Sequence, residues 1–389
     1  MADKKSNLQL MSEFSVGGQK LKNRVVLAPL TRARCTPTKD PYDKINKIPN
    51  DIMGDYYEQR ASGGLIITEA TAISAAGCGW LNAPWAVTEE QMAGWKKIVD
   101  RVHKANGIIY LQLWHMGRQS HSSFHPDTKE ILSASAIAVG SGQASTAFGT
   151  KADYEKPRAM TLEEIKQTVQ DYKACAARAK AVGFDGVEIH SANGYLIDQF
   201  MQACSNKRTD KYGGSMENRV RLLVEVIEAI AEVYPANRIG FRLSPNGAYG
   251  GMGSEDNAEL FPFVAKAVEK YGLAYLHLMD GLGFGFHGKC KVVTAMDMRR
   301  HFSGPIIANV GLTKEMAEGM VRSGAVDLAA FGRLYISNPD LPERFENGWP
   351  LAESAPYETW WRPTGAKGYT DWPKYKKPAE KTDKEEAKA

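Results

Sequence analysis

His190, Asn193 and Tyr195 fall within six residues of one another, directly after the apolar run Gly186-Val187-Glu188-Ile189. Imidazole and carboxamide donate hydrogen bonds without carrying net charge, and a phenol with an ordinary pKa of about 10 is still protonated at neutral pH. Two neutral donors can hold one carbonyl oxygen, and an acid beside them can deliver a proton. Such a set suits the polarisation of an electron-poor alkene. Taken alone, a His-x-x-Asn pattern is explained as well by a histidine that ends a core strand and a tyrosine that packs behind it, because short motifs match by chance. The long flanking segment, residues 206–215 and Glu217-Asn218-Arg219, weighs against chance.

Positioning these side chains takes a rigid frame, and the sequence alternates short β-rich runs with helical patterns. The runs cover residues 25–30, 65–70, 108–114, 186–190, 238–244, 274–279, 305–309 and 327–331. Helical patterns span 88–105, opening Thr-Glu-Glu, and 161–182, opening Thr-x-x-Glu before Gly183. Two more cover 218–233, apolar at Val220, Leu223, Val224 and Ile227 up to Pro235, and 314–323, ending at Gly324. These are capping and stop signals. Eight β-then-α units predict one α/β domain, a (β/α)8 (TIM) barrel over residues 1–377, with a polar tail at 378–389. The longest connection follows the third strand. Its residues 117–157, rich in Ser, Gly and Ala, read as an excursion over the barrel mouth, and a C-terminal extension follows the eighth unit. A doubly wound fold would need a glycine-rich turn after the first strand, where Thr31-Arg32-Ala33-Arg34 stands instead.

Barrels place their chemistry at the C-terminal ends of the strands. Those ends carry Thr31, Ala70, Gln112 with Trp114, His190, Arg242, Asn309-Val310-Gly311 and Gly332-Arg333. The last two groups suit a phosphate: glycines admit backbone N–H groups, a short helix adds its N-terminus and Arg333 supplies a fork. Alternation along the fourth strand turns Glu188 inward with His190, and a buried carboxylate needs a partner, for which Arg242 is the candidate. Gln112 offers a donor and an acceptor to an imide edge, and Arg242 suits a place where negative charge develops. A phosphorylated, planar, imide-bearing ring that gains negative charge is reduced flavin mononucleotide (FMN).

With these residues assembled, the chain resembles the old yellow enzyme family of flavin-dependent ene-reductases, near its oxophytodienoate-reductase and bacterial alkene-reductase branch. The matching segments are residues 21–32, 111–118, 186–219, 240–245 and 331–341, and the likeness runs from about residue 21 to about 375. The resemblance implies FMN held by Pro29, Thr31, Ala70, Gln112, Arg242, Asn309, Val310, Gly311, Gly332 and Arg333. It implies that His190 and Asn193 bind the activating oxygen, that NADPH or NADH is the reductant, and that hydride comes from flavin N5 and the proton from Tyr195. Expected substrates are enones, enals, nitroalkenes or quinones, in a pocket shaped by Trp80, Trp114 and Trp361. Trp360-Trp361 stands where the family usually reads Phe-Tyr or similar, and Trp80 where a tyrosine is often found, so substrate preference does not transfer with the motif.

Composition narrows the remaining classes. A net charge of +4 with scattered Lys and Arg forms no basic stripe for nucleic acid. Five cysteines without a CxxC pair argue against a disulfide framework and against a zinc or iron–sulfur site, so no metal is expected. Cys35, four residues past Thr31, reads as a small structural residue. No apolar run approaches the roughly 20 residues that span a bilayer, and the start shows no secretory pattern, which predicts a soluble cytoplasmic protein, monomer or homodimer. Two rivals remain: a flavin-free barrel lyase or isomerase using the phosphate site for a sugar phosphate, and a flavin-binding protein that does not turn over. The first would need a Schiff-base lysine or a base carboxylate at a strand end.

Overall fold

The computed structural model describes residues 7–36, 47–283, 285–361 and 365–377. Eight parallel strands close on themselves: β1 (Val25–Leu27), β2 (Leu65–Ile67), β3 (Ile109–Trp114), β4 (Gly186–His190), β5 (Ile239–Leu243), β6 (Tyr275–Leu278), β7 (Ile306–Asn309) and β8 (Leu328–Phe331). Each pairs with its neighbours in sequence, β8 pairs with β1, and β3 pairs with β4, so the ring has no open edge. The (β/α)8 expectation is met. The segment 378–389, expected to be a polar tail, lies outside the described residues.

All eight strands are fully buried, as parallel strands covered on the outside by helices and filled on the inside must be. Two glycines make the inner packing possible. A Cβ at Gly186 would lie 2.5 Å from the Tyr110 ring, and one at Gly240 would lie 2.3 Å from the Tyr275 ring. The two tyrosines plug the lower barrel with ring centroids 5.9 Å apart. Above this plug the register sets His190 beside Arg242, and Arg242 beside His277.

The outer helices start where the capping signals fall. Helix α2 (Glu89–Lys104) and helix α3 (Leu162–Ala181) open with capping boxes built on Thr88/Gln91 and Thr161/Glu164. Helix α5 (Met216–Ala231) begins two residues before the expected start because Ser215 caps the Asn218 N–H. Helix α8 (Lys314–Arg322) stops before Gly324, whose φ is +75°. Helices α1 (Asp51–Gln59), α6 (Asn257–Glu269) and α7 (Ala295–Arg299) lie between their strands, the short α4 (Leu196–Met201) follows β4, and α9 (Arg333–Ser337) and α10 (Leu341–Asn347) follow β8 and complete the outer layer. Among the described residues no helix is long and apolar enough to cross a membrane.

The connection after β3 holds two short helical turns, a hairpin (Gln143–Ser145 with Lys151–Asp153) and a small parallel pair (Leu132–Ser133 with Arg158–Ala159). It is tied to the loops above β4 and β5: Arg118 donates to the Gly250 carbonyl at 3.0 Å and Gln119 to the Asn193 carbonyl at 2.7 Å. At the other end of the chain, Arg32 donates to the carbonyls of Trp360 (2.9 Å) and Gly368 (2.8 Å), and Arg34 donates to Thr359 (2.9 Å). The Tyr369 ring stacks on Tyr56 at 4.3 Å. The C-terminal segment is thereby strapped to the loop that follows β1.

Candidate active site

A cavity of about 410 Å³ opens at the C-terminal end of the barrel. Its lining brings together Pro29, Thr31, Ala70, Gln112, His190, Asn193, Tyr195, Arg242, Asn309, Val310, Gly311, Gly332 and Arg333, with Trp80 and Trp361 at one side. Trp114 is the exception. It is buried behind the wall, its ring edge-on to Tyr195 at 5.1 Å and 88°. Strand alternation puts it on the same side as Gln112, but Tyr195, Ala70, Ala83 and Met116 pack around it. It supports Tyr195 and does not line the cavity.

The loop after β4 gains its shape from two successive left-handed residues, Asn193 (φ +56°) and Gly194 (φ +70°). Asparagine and glycine tolerate that conformation best. Four side chains hold it. Ser244 accepts the Asn193 N–H at 2.7 Å, Gln119 donates to the Asn193 carbonyl, Asp198 accepts the Gly194 N–H at 2.8 Å, and Gln199 donates to the Gly194 carbonyl at 2.7 Å. With its backbone pinned, the Asn193 carboxamide lines the cavity and makes no hydrogen bond to another side chain or backbone group among the described residues.

His190 is buried, and burial, aided by Arg242 and His277, holds its pKa well below the usual imidazole value. Its ring is therefore neutral. The Ala192 N–H donates to Nδ1 at 3.4 Å, which leaves the ring proton on Nε2 as the donor available to a ligand. Tyr195 stands edge-on to His190 at 4.8 Å. Burial, with Tyr249 and Tyr154 nearby, pushes its pKa well above 10, so the phenol keeps its proton.

The expected Glu188–Arg242 ion pair is not formed. Glu188 accepts from Gln112 Nε2 at 2.7 Å and from His277 Nδ1 at 2.9 Å, while Arg242 donates to Asn309 Oδ1 at 2.7 Å. The register explains why: Glu188 is level with Gly240, and Arg242 is level with His190, one layer higher. A carboxylate only accepts, so the Gln112 amide nitrogen must face Glu188 and its oxygen is left as an acceptor for the cavity.

FMN fits this donor set. Among the described residues Arg242 Nε is buried without a partner, Thr31 lines the cavity, and Gln112 offers its oxygen. A buried donor left unpaired costs about 1–3 kcal/mol, which a ring with carbonyl oxygens would recover. At the phosphate end Val310 (φ +83°) and Gly311 (φ +73°) turn two successive residues into the left-handed region. For a β-branched residue that is strained, and such strain gathers at functional sites. A Cβ at Gly311 would enter open space. Arg333 is exposed there, its guanidinium 5.3 Å over the Trp360 ring.

Several contributors carried no local sequence signal: His277, Glu69, Asp198 and Tyr249. Glu69 accepts the N–H groups of Arg32 (3.2 Å) and Ala33 (3.0 Å) and so fixes the loop bearing Thr31, in which Ala33 has φ +54°. Cys35 is buried against Met53, Sγ to Sδ 3.6 Å, in keeping with a structural role.

A family model described as the NADH:flavin oxidoreductase / NADH oxidase family matches residues 9–352. The chain is 39% identical over 370 residues to a putative 12-oxophytodienoate reductase 11 of Oryza sativa subsp. japonica, covering 95% of this chain and 98% of the relative. It is 37% identical over 375 residues to 12-oxophytodienoate reductase 2 of Arabidopsis thaliana, covering 96% and 97%. Among solved structures, the old yellow enzyme homologue from Zymomonas mobilis aligns with a TM-score of 0.87 at 39% identity, over 94% of this chain and 99% of that one. Morphinone reductase aligns with a TM-score of 0.88 at 37% identity, over 97% and 99%, and has also been solved in complex with tetrahydroNAD. The chain belongs to the old yellow enzyme family and is an FMN-dependent oxidoreductase, served by a nicotinamide reductant, that acts on activated alkenes.

Proposed function

We propose that this protein reduces the C=C bond of α,β-unsaturated carbonyl compounds and nitroalkenes, with Tyr195 as the proton donor. The observation that carries the reading is the convergence of three groups on one cavity: the neutral His190 imidazole, the Asn193 carboxamide and the Tyr195 phenol. FMN would be held at its ring by Pro29, Thr31, Ala70, Gln112 and Arg242, and at its phosphate by Asn309, Val310, Gly311, Gly332 and Arg333. When bound and reduced, that cofactor supplies the hydride that the β-carbon receives.

The protein's own part is to place and polarise the alkene. His190 Nε2–H and the Asn193 amide donate to the activating oxygen, where negative charge grows as the β-carbon is attacked. A preorganised donor of this kind is typically worth about 3 kcal/mol in a transition state. Tyr195 then gives its hydroxyl proton to the α-carbon. Its ring is held between Trp114 and His190, which fixes the direction of delivery. Trp80 and Trp361, with centroids 6.4 Å apart, wall the open side and select for flat substrates, enals and quinones among them. The nicotinamide uses the same space, so no dinucleotide-binding fold is required.

The lyase or isomerase alternative lacks its reagents: among the described residues lining the cavity there is neither a lysine nor a carboxylate. The test is direct. Protein purified with FMN should be yellow, bleach anaerobically with NADPH or NADH, and regain its colour with 2-cyclohexen-1-one or a nitroalkene while forming the saturated product. Bleaching without product formation would favour a flavin-binding protein that does not turn over.

A further inference from the structure

Glu188 is fully buried two residues below His190 on β4, with one oxygen facing Gln112 Nε2 and the other facing His277 Nδ1. Burial alone would push its carboxyl up. His277, Arg242 and Gln112 outweigh that and hold it below the usual carboxylate range, so the barrel carries a fixed negative charge under the cavity. The opposite charge one layer higher is Arg242, whose hydrogen bond goes to the neutral Asn309. Burial brings Arg242 down to about 10, and Glu188 works against that fall. Burial lowers His277, and the adjoining Glu188 works against that fall.

We propose that Glu188 is a positioning residue that orients the Gln112 amide and offsets the charge of Arg242, and thereby holds the reduction potential of bound FMN down. The proposal rests on the reading that Gln112 and Arg242 face the pyrimidine edge of the flavin. It has two separable parts. The first is orientation: a glutamine amide can present either end, and an acceptor-only neighbour at 2.7 Å permits one. The second is charge. Arg242 favours the reduced flavin, whose pyrimidine edge carries more negative charge, and the anion beneath it counters that preference. Affinity for the oxidised cofactor is retained, and the reduced cofactor is kept a ready donor to the alkene.

Two substitutions separate the parts. Glu188→Gln keeps an oxygen for Gln112, and its amide N–H can meet His277 in the other tautomer, so shape and orientation persist while the charge is lost. Glu188→Asp keeps the charge and shortens the reach to Gln112. The measurement is the midpoint potential of bound FMN by anaerobic dye-linked titration, with FMN affinity of the apoprotein by fluorescence and Gln112→Ala as reference. Glu188→Gln should favour reduced over oxidised FMN at least tenfold more than the wild type does, a potential about 30 mV higher for a two-electron couple. Glu188→Asp should shift that ratio less than threefold while binding FMN more weakly. An unchanged or lower potential in Glu188→Gln, with Gln112→Ala still weakening FMN binding, overturns the proposal alone. Should Glu188→Gln not retain FMN, a tenfold shift in Glu188→Asp overturns it instead. Unchanged FMN affinity in Gln112→Ala would overturn the flavin-site reading and the proposal with it.

Discussion

A para-substituted phenol added to the FMN-loaded protein should bind as its phenolate, oxygen on His190 and Asn193 and ring stacked on the flavin, with a long-wavelength charge-transfer band. Both donors are neutral and preorganised, one by the Nε2–H tautomer of His190 and the other by the pinned backbone of Asn193. A hydrogen bond to a charged acceptor is worth about 1.5–3 kcal/mol, so His190→Ala or Asn193→Ala should each weaken binding about 10- to 100-fold. Tyr195→Phe should leave the band largely intact. The pH dependence follows from the same geometry. Burial holds His190 neutral, so acidification towards pH 6 brings no imidazolium to attract the anion, and Tyr195 titrates well above 10. Affinity should therefore rise with pH until the phenol's own pKa is passed and then level. The assay is spectrophotometric titration from pH 6 to 9. Affinity that falls between pH 6 and 8, or alanine variants within threefold of the wild type, would refute the two-donor cradle.

Arg333→Ala should weaken FMN binding about tenfold, the low end for an arginine–phosphate contact because the side chain is exposed, while riboflavin affinity changes less than threefold; equal losses by fluorescence titration would remove this arginine from the phosphate. Thr31→Ala should lower the flavin potential by about 30 mV, one hydrogen bond to a charge-bearing oxygen, and slow reduction by NADPH more than reoxidation by an enone. An unchanged potential would contradict it. Burial raises Glu69 and Asp198 to about 7. Between their ordinary pKa values and 7, the folded state keeps protons that the unfolded chain has released. Stability should thus fall as pH rises from about 4 to 7, by on the order of 3–4 kcal/mol per group at most, and then level. Asp198→Asn should flatten that slope in melting curves taken from pH 5 to 8, and an unchanged slope would show that Asp198 is ionised throughout.

The barrel was legible because each strand is a short apolar run bounded by a turn or capping signal, and those signals act locally. That the strand-end residues line one cavity follows from the same pattern, since the fold fixes which end of the strands opens. Partnerships across the barrel were not legible. Tyr275-Leu276-His277-Leu278 reads as an ordinary strand, and nothing near it announces that His277 meets Glu188, 89 residues earlier in the chain. The expected Glu188–Arg242 pairing rests on the need of a buried carboxylate for a partner, which does not say which partner, and the register sets Arg242 opposite His190. Trp114 was misjudged for a related reason, because alternation gives the side a residue faces but not what covers it. Helix α6 is hard to read because Pro262, ordinarily a stop signal, stands inside it.

Stopped-flow of the two half-reactions in Tyr195→Phe decides whether Tyr195 protonates the alkene carbon. Flavin reduction by NADPH consumes no proton from this residue and should stay near the wild-type rate. Reoxidation by 2-cyclohexen-1-one should slow by about 100-fold or more, in line with the loss of a positioned general acid. The hydride step with a nitroalkene should be affected far less, because its nitronate can wait for a proton from water. Full-rate reoxidation by the enone in Tyr195→Phe would contradict the account and place the proton donor elsewhere.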